Sequence, residues 1–418
     1  MKHNLLFIIM VAIYRVLLDY IYRLQITPLF KYWLMVDNST ISSYAISWFI
    51  LAVFCIATLQ FYNKIPEYRN TMLYVVLFIF LVKLVPFTSF LYYQPQSTSF
   101  IAQQLILWIL LYVLLYYGKG FRFSFIKKSD SIVGMVTIIV SAAVIIVSGV
   151  YAGFRLRLSL ANVYDLRMEA REFNMPILLK YIYSFAANII PICMVYYITR
   201  KKKYMIYLLA FIGLLNFSIA GSKSTLFRIF LCVGLLYLSK VNYKKWLIPS
   251  FLVICILSVL EFYIYESTFI STMLIRRSFY IPNLLDSVYF NYLQNMDPFF
   301  FDTSKFTNIQ FSIGGDVFGI EQMRANNGFF TDAYINLGAA GCIVYPFIYS
   351  LIFRALEGAC YGLNQCVSIF CAFLVVTTLE STFFTTSLLT HGIFLMIVTL
   401  YFMPIHGEDS HYISESSI

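Results

Sequence analysis

The chain has 418 residues, 61% of them apolar and 12% charged, where soluble globular proteins run at about 45–50% and about 25%. A soluble fold of this length cannot hide so much apolar surface, which excludes a soluble enzyme, a disordered chain and a disulfide scaffold and leaves a polytopic membrane protein. The net charge of +10, from 30 Lys/Arg and 20 Asp/Glu, is explained by basic residues held in cytoplasmic loops during insertion, with no nucleic acid required.

A bilayer core needs about 20 apolar residues per helix. Runs at 4–22, 43–62, 71–92, 100–117, 131–153, 177–199, 204–221, 224–240, 246–266, 331–353, 366–388 and 389–405 qualify. The first has a charged start but no small-x-small cleavage site, so it reads as a retained span. The predicted fold is all-α: one integral helical bundle over 1–418 with about twelve transmembrane helices and two long loops, 154–176 and 267–330.

Basic residues orient the bundle. With both termini in the cytoplasm, the inner segments carry fifteen: Lys2, Lys64, Arg69, Lys119, Arg122, Lys127, Lys128, Arg200, Lys201, Lys202, Lys203, Lys240, Lys244, Lys245 and Arg354. The short outer segments carry only Arg23, Lys31 and Lys223, the bias expected of N-in, C-in. The long outer loops add Arg155, Arg157, Arg167, Arg171, Lys180, Arg276, Arg277, Lys305 and Arg324. The inner set is mostly lysine and the outer set mostly arginine. Topology needs only positive charge, whereas the guanidinium fork matches phosphate or carboxylate at two points, so the outer face points to an anionic ligand.

No cysteine falls in an outer loop and there is no C-x-x-C. His3, His391, His406 and His411 form no ligand cluster, and no D-x-D is present. A metal site is therefore not expected.

In the first long loop, residues 161–173 are predicted helical. Val163, Leu166, Ala170 and Phe173 share one face, Arg167 and Arg171 one flank, and Asp165, Glu169 and Glu172 the other. Such a helix lies in the interface plane with its arginines at the depth of lipid phosphates. Arg155 and Arg157 alternate with apolar residues where the fifth span emerges. Lys223 sits in a G-S-K-S turn whose Gly221 permits close backbone approach.

The second long loop opens on Arg276 and Arg277. It is rich in aromatics (Phe279, Tyr280, Tyr289, Phe290, Tyr292, Phe299, Phe300, Phe301), which suit sugar faces but read chiefly as a cap packed on the bundle. Asp286, Asp297, Asp302, Asp316 and Glu321 are its candidate carboxylates. Asp332 is expected at the outer mouth, as a reactive carboxylate or a helix-capping one. Gly338 and Gly341 read as a close helix contact. Charges inside spans are functional candidates: Arg15 and Asp19 as a mutual pair, Lys83, Arg228, Glu261 and Glu380, with Lys83 and Glu380 able to pair across helices.

The span count, the Arg-bearing loop after span five, the G-S-K-S turn and the long loop running into NNGFFTDAYINLGAAG resemble the Wzy family of O-antigen and capsular repeat-unit polymerases. The last segment is also similar to the H-N-x-x-L signature of O-antigen ligases, with Asn327, Phe330, Gly338 and Gly341 in place but Asn326 at the His position, which counts against a ligase.

The resemblance implies a GT-C-type glycosyltransferase in the bacterial inner membrane, working on the periplasmic face without metal or cofactor. It implies undecaprenyl-diphosphate-linked oligosaccharides as substrates and a chain-length-determining co-polymerase as partner. A diphosphate leaving group needs cations and the acceptor hydroxyl needs a base. Arg155, Arg157, Arg167, Arg171, Lys223, Arg276, Arg277 and Arg324 are the binding candidates, and Asp332 or Glu169 the base. The alternatives are a lipid-linked oligosaccharide flippase or other transporter, disfavoured because the two halves show no repeat, and a ligase.

Overall fold

The computed structural model describes residues 2–66, 69–123, 126–158, 163–238 and 243–405. His406, His411 and Lys240 lie outside them. All regular structure among these residues is helical. In chain order the helices are α1 (Asn4–Trp33), α2 (Ile41–Lys64), α3 (Asn70–Tyr93), α4 (Thr98–Tyr117), α5 (Asp130–Val150), α6 (Val163–Glu172), α7 (Ile177–Thr199), α8 (Lys203–Ala220) and α9 (Lys223–Leu238). They continue with α10 (Tyr243–Tyr265), α11 (Ser271–Tyr280), α12 (Ile281–Leu293), α13 (Thr303–Asp316), α14 (Phe330–Leu337), α15 (Gly341–Ala359), α16 (Gln365–Ser381), α17 (Phe384–Leu389) and α18 (Ile393–Phe402). Among the described residues nine helices are long and apolar enough to cross a membrane, taking Phe330–Ala359 as one. The shorter α9, α16 and α18 stand where the other three spans are expected.

Contacts between helix ends show the up-and-down alternation. At one end, Arg69 pairs with Glu357 at 2.6 Å, Phe121 N–H donates to the Arg354 carbonyl and Arg200 meets Asp130 at 3.4 Å. This is the lysine-rich end. At the other, Arg23 meets Asp37 at 3.5 Å, Asn38 N–H donates to the Tyr93 carbonyl and Ser218 accepts from Arg157 N–H at 2.6 Å. This is the loop end. Large apolar side chains such as Phe49, Ile138 and Phe230 face outward, as a lipid-facing surface requires. Caps fix several starts: Thr40 and Ser43 form a reciprocal capping box on α2, and Ser97, Ser129 and Asn364 cap α4, α5 and α16.

Three helical stretches widen to π geometry: Tyr22–Ile26, Ile79–Leu84 and Ser271–Tyr280. Each ends two residues before a proline (Pro28, Pro86, Pro282). Proline lacks an N–H and its ring crowds the preceding turn, so the helix relaxes by opening that turn. Each wide stretch also carries a basic residue, Arg23, Lys83 and the Arg276–Arg277 pair.

The 267–330 segment is not a surface loop throughout. α11 and α12 pack into the loop-end half of the bundle, and Phe279, Tyr280, Tyr289 and Phe290 are core residues. The cap reading therefore holds for these four, and they offer no face to a sugar. The eleventh expected span also breaks early: the chain leaves the helix at Thr382 and turns into α17.

Asp286, fully buried on α12, ties this insert to the bundle. Its Oδ2 meets Lys83 Nζ at 2.8 Å and accepts from Gln104 Nε2 at 3.1 Å. Its Oδ1 accepts from Asn327 Nδ2 and Thr331 Oγ1, each at 2.8 Å. Gln104 in turn accepts from Trp108 Nε1 at 2.9 Å. The expected Lys83–Glu380 pair is corrected: Asp286 takes the ammonium, and Glu380 Oε1 is buried with no hydrogen-bond partner. The expected Arg15–Asp19 pair does form.

Removing one member of a buried pair leaves an uncompensated charge, at a cost of about 3–5 kcal/mol. Lys83→Ala or Asp286→Ala should therefore sharply lower the melting midpoint in detergent. Lys83→Met with Asp286→Leu should recover part of that loss, and a double variant less stable than both singles would refute a keystone role for the pair.

Candidate functional site at the loop end

α1 ends in Phe30, Tyr32 and Trp33, and the wide turn of α11 aims Arg276 at them. The Arg276 guanidinium lies 3.8 Å from the Phe30 ring centroid and 5.8 Å from that of Trp33. Arg276 is 6% exposed, and its Nε and Nη1 have no hydrogen-bond partner. Burial first, and then the neighbouring Arg277, pull its pKa down to about 10, so it is still charged at neutral pH. Arg277 is exposed beside it. Trp33 packs on Phe318 with ring centroids 5.3 Å apart, closing the aromatic shelf. The shelf was missed in the sequence because Phe30–Trp33 read as a connector after a span ending at 22.

The other predicted cations divide into two groups. Arg155 and Arg324 are exposed, with Arg324 4.9 Å from the Phe311 ring centroid. Arg157 is engaged: its Nη1 meets Glu169 Oε2 at 2.6 Å and its Nη2 donates to Oε1 at 2.8 Å. Ser218 fixes the strand-like stretch beneath, accepting from Arg157 N–H and donating to the Arg155 carbonyl at 2.8 Å. α6 forms close to where the apolar spacing placed it, with Leu166 buried and Phe173 against Tyr151 at 5.7 Å. The side chains of Arg167 and Arg171 lie outside the described part. Lys223 begins α9 beside Ser222 and Ser224, whose hydroxyls are 2.8 Å apart. Among the described residues Arg155, Arg276, Arg277 and Arg324 form no ion pair.

Both candidate bases are occupied. The two-point contact to Arg157 holds the Glu169 carboxyl below its ordinary range, which weakens it as a base. Asp332 is not at the mouth: it is 1% exposed. Its Oδ2 accepts from the Phe384 N–H at 2.6 Å, and its Oδ1 from Asn336 Nδ2 at 2.9 Å and Tyr345 OH at 3.1 Å. It thus holds the start of α17 rather than capping α14. Gly338 ends α14 at φ +58°, and a Cβ on Gly341 would meet the Ala333 carbonyl at 2.0 Å. The two glycines therefore close the α14–α15 turn. Asn327, the ligase-like Asn, is buried on Asp286 and the Pro282 carbonyl.

Among the described residues no three His, Cys, Asp or Glu side chains stand close enough to hold a metal. Comparison with protein-family models, curated proteins and solved structures returns no match.

Asp332→Ala should lower stability by about 2–4 kcal/mol, since it orphans several buried donors. Glu169→Ala should stay within about 1 kcal/mol, because its pair is partly exposed. Thermal midpoints of the two purified variants separate these outcomes. The Glu169 pKa is depressed in the folded state, so the pair contributes fully above the ordinary carboxylate value of about 4.3. It is lost as pH falls through the depressed value. Hydrogen exchange of α6, corrected for intrinsic rates, should therefore be steady from neutral pH down to that range and rise below it.

Proposed function

We propose that the chain is a membrane polymerase of lipid-linked oligosaccharide repeat units, of the Wzy type. The observation that carries this reading is the loop end itself, where among the described residues four arginines form no ion pair and one of them is buried with two unmet donors beside an aromatic shelf. A buried, uncompensated cation is costly and is explained by an anion that arrives with the substrate. The resemblance in span layout and loop motifs supports a lipid diphosphate as that anion.

In this reading the loop end faces the periplasm, the lysine-rich end the cytoplasm, and the shorter α9, α16 and α18 complete twelve spans. Arg276 and Arg277 hold the diphosphate of one lipid. An acceptor hydroxyl on the incoming unit attacks the anomeric carbon of the donor glycan. The bond from that carbon to the diphosphate oxygen breaks, its electron pair leaves with undecaprenyl diphosphate, and the hydroxyl proton passes to a carboxylate. Arginine stabilises the charge that grows on the leaving group. Asp332 or Glu169 accepts the proton only after its present partners release it. Arg155 and Arg324 supply further positive charge at the same end.

A transporter of lipid-linked oligosaccharide is the second reading. It is favoured by the Lys83–Asp286 pair and Glu380 inside the bundle, since buried ionisable groups mark transport pathways.

Deleting the gene in its own host and resolving the surface polysaccharide on a gel separates the readings. Loss of a polymerase collapses the ladder to core carrying a single repeat unit. Loss of every unit from core refutes polymerisation: single lipid-linked units trapped in the cytoplasm then indicate a flippase, and long lipid-linked chains in the periplasm a ligase. In the complemented strain, Arg276→Ala should shorten the ladder at unchanged protein level, and a full-length ladder would remove Arg276 from the site.

A further inference from the structure

Glu380 is 4% exposed, and its Oε1 is buried with no hydrogen-bond partner. Among the described residues it forms no ion pair. Helix register shows where it points. α3 and α16 run in the same direction from the lysine-rich end, where Tyr74 OH donates to Gln365 Oε1 at 3.4 Å. Further along, Phe78 meets Phe373 edge to face with ring centroids 5.4 Å apart. Glu380 lies seven residues past Phe373, two turns on and on the same face, so it points at α3. At 1.5 Å per residue Glu380 is about 10.5 Å beyond that contact, and Lys83, five residues past Phe78, about 7.5 Å. The two stand at nearly the same depth, and the Lys83 charge acts on the Glu380 carboxyl.

The other groups around Glu380 come from different helices. Asp286 on α12 acts on it with the opposite sign. Tyr14 on α1 is the remaining ionisable neighbour, and its OH donates to the Leu81 carbonyl at 3.0 Å. Arg228 on α9 meets α16 at Thr378, two residues away and about 200° around the helix. Asp332 accepts from the Phe384 N–H, past the end of α16.

Two carboxyls therefore share one ammonium, and they are not equivalent. Asp286 meets Lys83 and also accepts from Gln104, Asn327 and Thr331. Three neutral donors stay with it if the ammonium leaves. Glu380 has no such donors. An ionised carboxylate in an apolar interior without donors or a counter-charge is far costlier than the neutral acid. Two carboxylates at one cation cannot both ionise cheaply. With Lys83 on Asp286, as the structure has it, Glu380 is the group that keeps a proton. Lysine carries a point charge on a flexible four-carbon stem, so the ammonium can cross to Glu380 when that proton leaves.

We propose that Glu380 is a proton-binding site inside the bundle, and that its occupancy decides which carboxyl holds Lys83. With the proton bound, Lys83 neutralises Asp286 and the trio carries no net charge. Once the proton leaves, Lys83 lies on Glu380, Asp286 keeps its three neutral donors, and the trio carries one negative charge. Asp286 anchors α12 and the Asn327 turn, so release of the proton loosens the insert at the loop end. The site requires neither polymerisation nor transport of glycans.

The test uses the full chain in phosphatidylcholine nanodiscs, followed by infrared spectroscopy and by hydrogen exchange corrected for intrinsic rates. At low pH the wild-type protein should show the C=O stretch of a neutral carboxylic acid that Glu380→Gln lacks. As pH rises the band should disappear, and exchange of α12 and of the Asn327 turn should increase several-fold with it. In Glu380→Gln, which mimics the protonated acid, that exchange should stay flat. Glu380→Leu serves the same purpose if the amide is not tolerated. Asp286→Asn frees Lys83 for Glu380 and should remove the band at neutral pH.

A wild-type spectrum without the band at every pH where the protein is folded overturns the proton site. A band that persists in folded Asp286→Asn overturns the sharing of Lys83. If Asp286→Asn fails to fold, the wild-type comparison still decides. Exchange that follows pH equally in wild type and in Glu380→Gln, or that stays flat in wild type while the band is lost, overturns the link to the insert.

Discussion

The Lys83–Asp286 contact is the constraint on which the loop-end half of this bundle depends. A lysine and an aspartate enter the apolar interior only if each satisfies the other and the remaining lone pairs find donors. Gln104, Asn327 and Thr331 supply those donors, so four chain segments far apart in sequence must meet at one carboxylate. That requirement holds α12 inside the bundle and draws in the Asn327 turn that leads to α14. α14 then carries Asp332 to the first N–H of α17. Two buried carboxylates in series therefore position the broken end of the eleventh span, and the aromatic shelf and Arg276 lie on the other side of the same insert.

Once Asp286 and Asp332 are consumed in this way, the charge balance at the loop end becomes distinctive. The two deepest carboxylates are inside and engaged, Glu169 is held by Arg157, and among the described residues Arg155, Arg276, Arg277 and Arg324 form no ion pair. At the lysine-rich end the deepest cation, Arg69, is instead saturated by Glu357 and by the carbonyls of Leu115, Tyr116 and Gly118. One end of the molecule has its buried cation fully satisfied, and the other keeps unmet guanidinium donors. That contrast, more than the number of arginines, supports an anionic substrate at the loop end.

Much of the helical layout was legible because apolar runs of about 20 residues are a direct demand of the bilayer. α6 was legible from the spacing of Leu166 and Ala170 and the flanking charges. The Arg15–Asp19 pair was legible because four residues are one helical turn. Long-range partners were not: nothing local in the sequence says that Lys83 meets Asp286, 203 positions further along the chain, and leaves Glu380 Oε1 without a hydrogen-bond partner. Nor does local pattern distinguish a surface loop from an inserted helix when the segment, as in α11, mixes arginines with aromatics. One signal was present and unread. Pro28, Pro86 and Pro282 each follow a widened turn bearing a basic residue, and a proline two residues past such a turn marks where a helix must open.

Reconstitution tests the polymerase reading most directly. The purified chain in nanodiscs, supplied only with undecaprenyl-diphosphate-linked repeat units, should yield a ladder of lipid-linked oligomers. One undecaprenyl diphosphate should be released per linkage formed. Repeat units recovered unchanged, with no lipid diphosphate released by a folded protein, would contradict it.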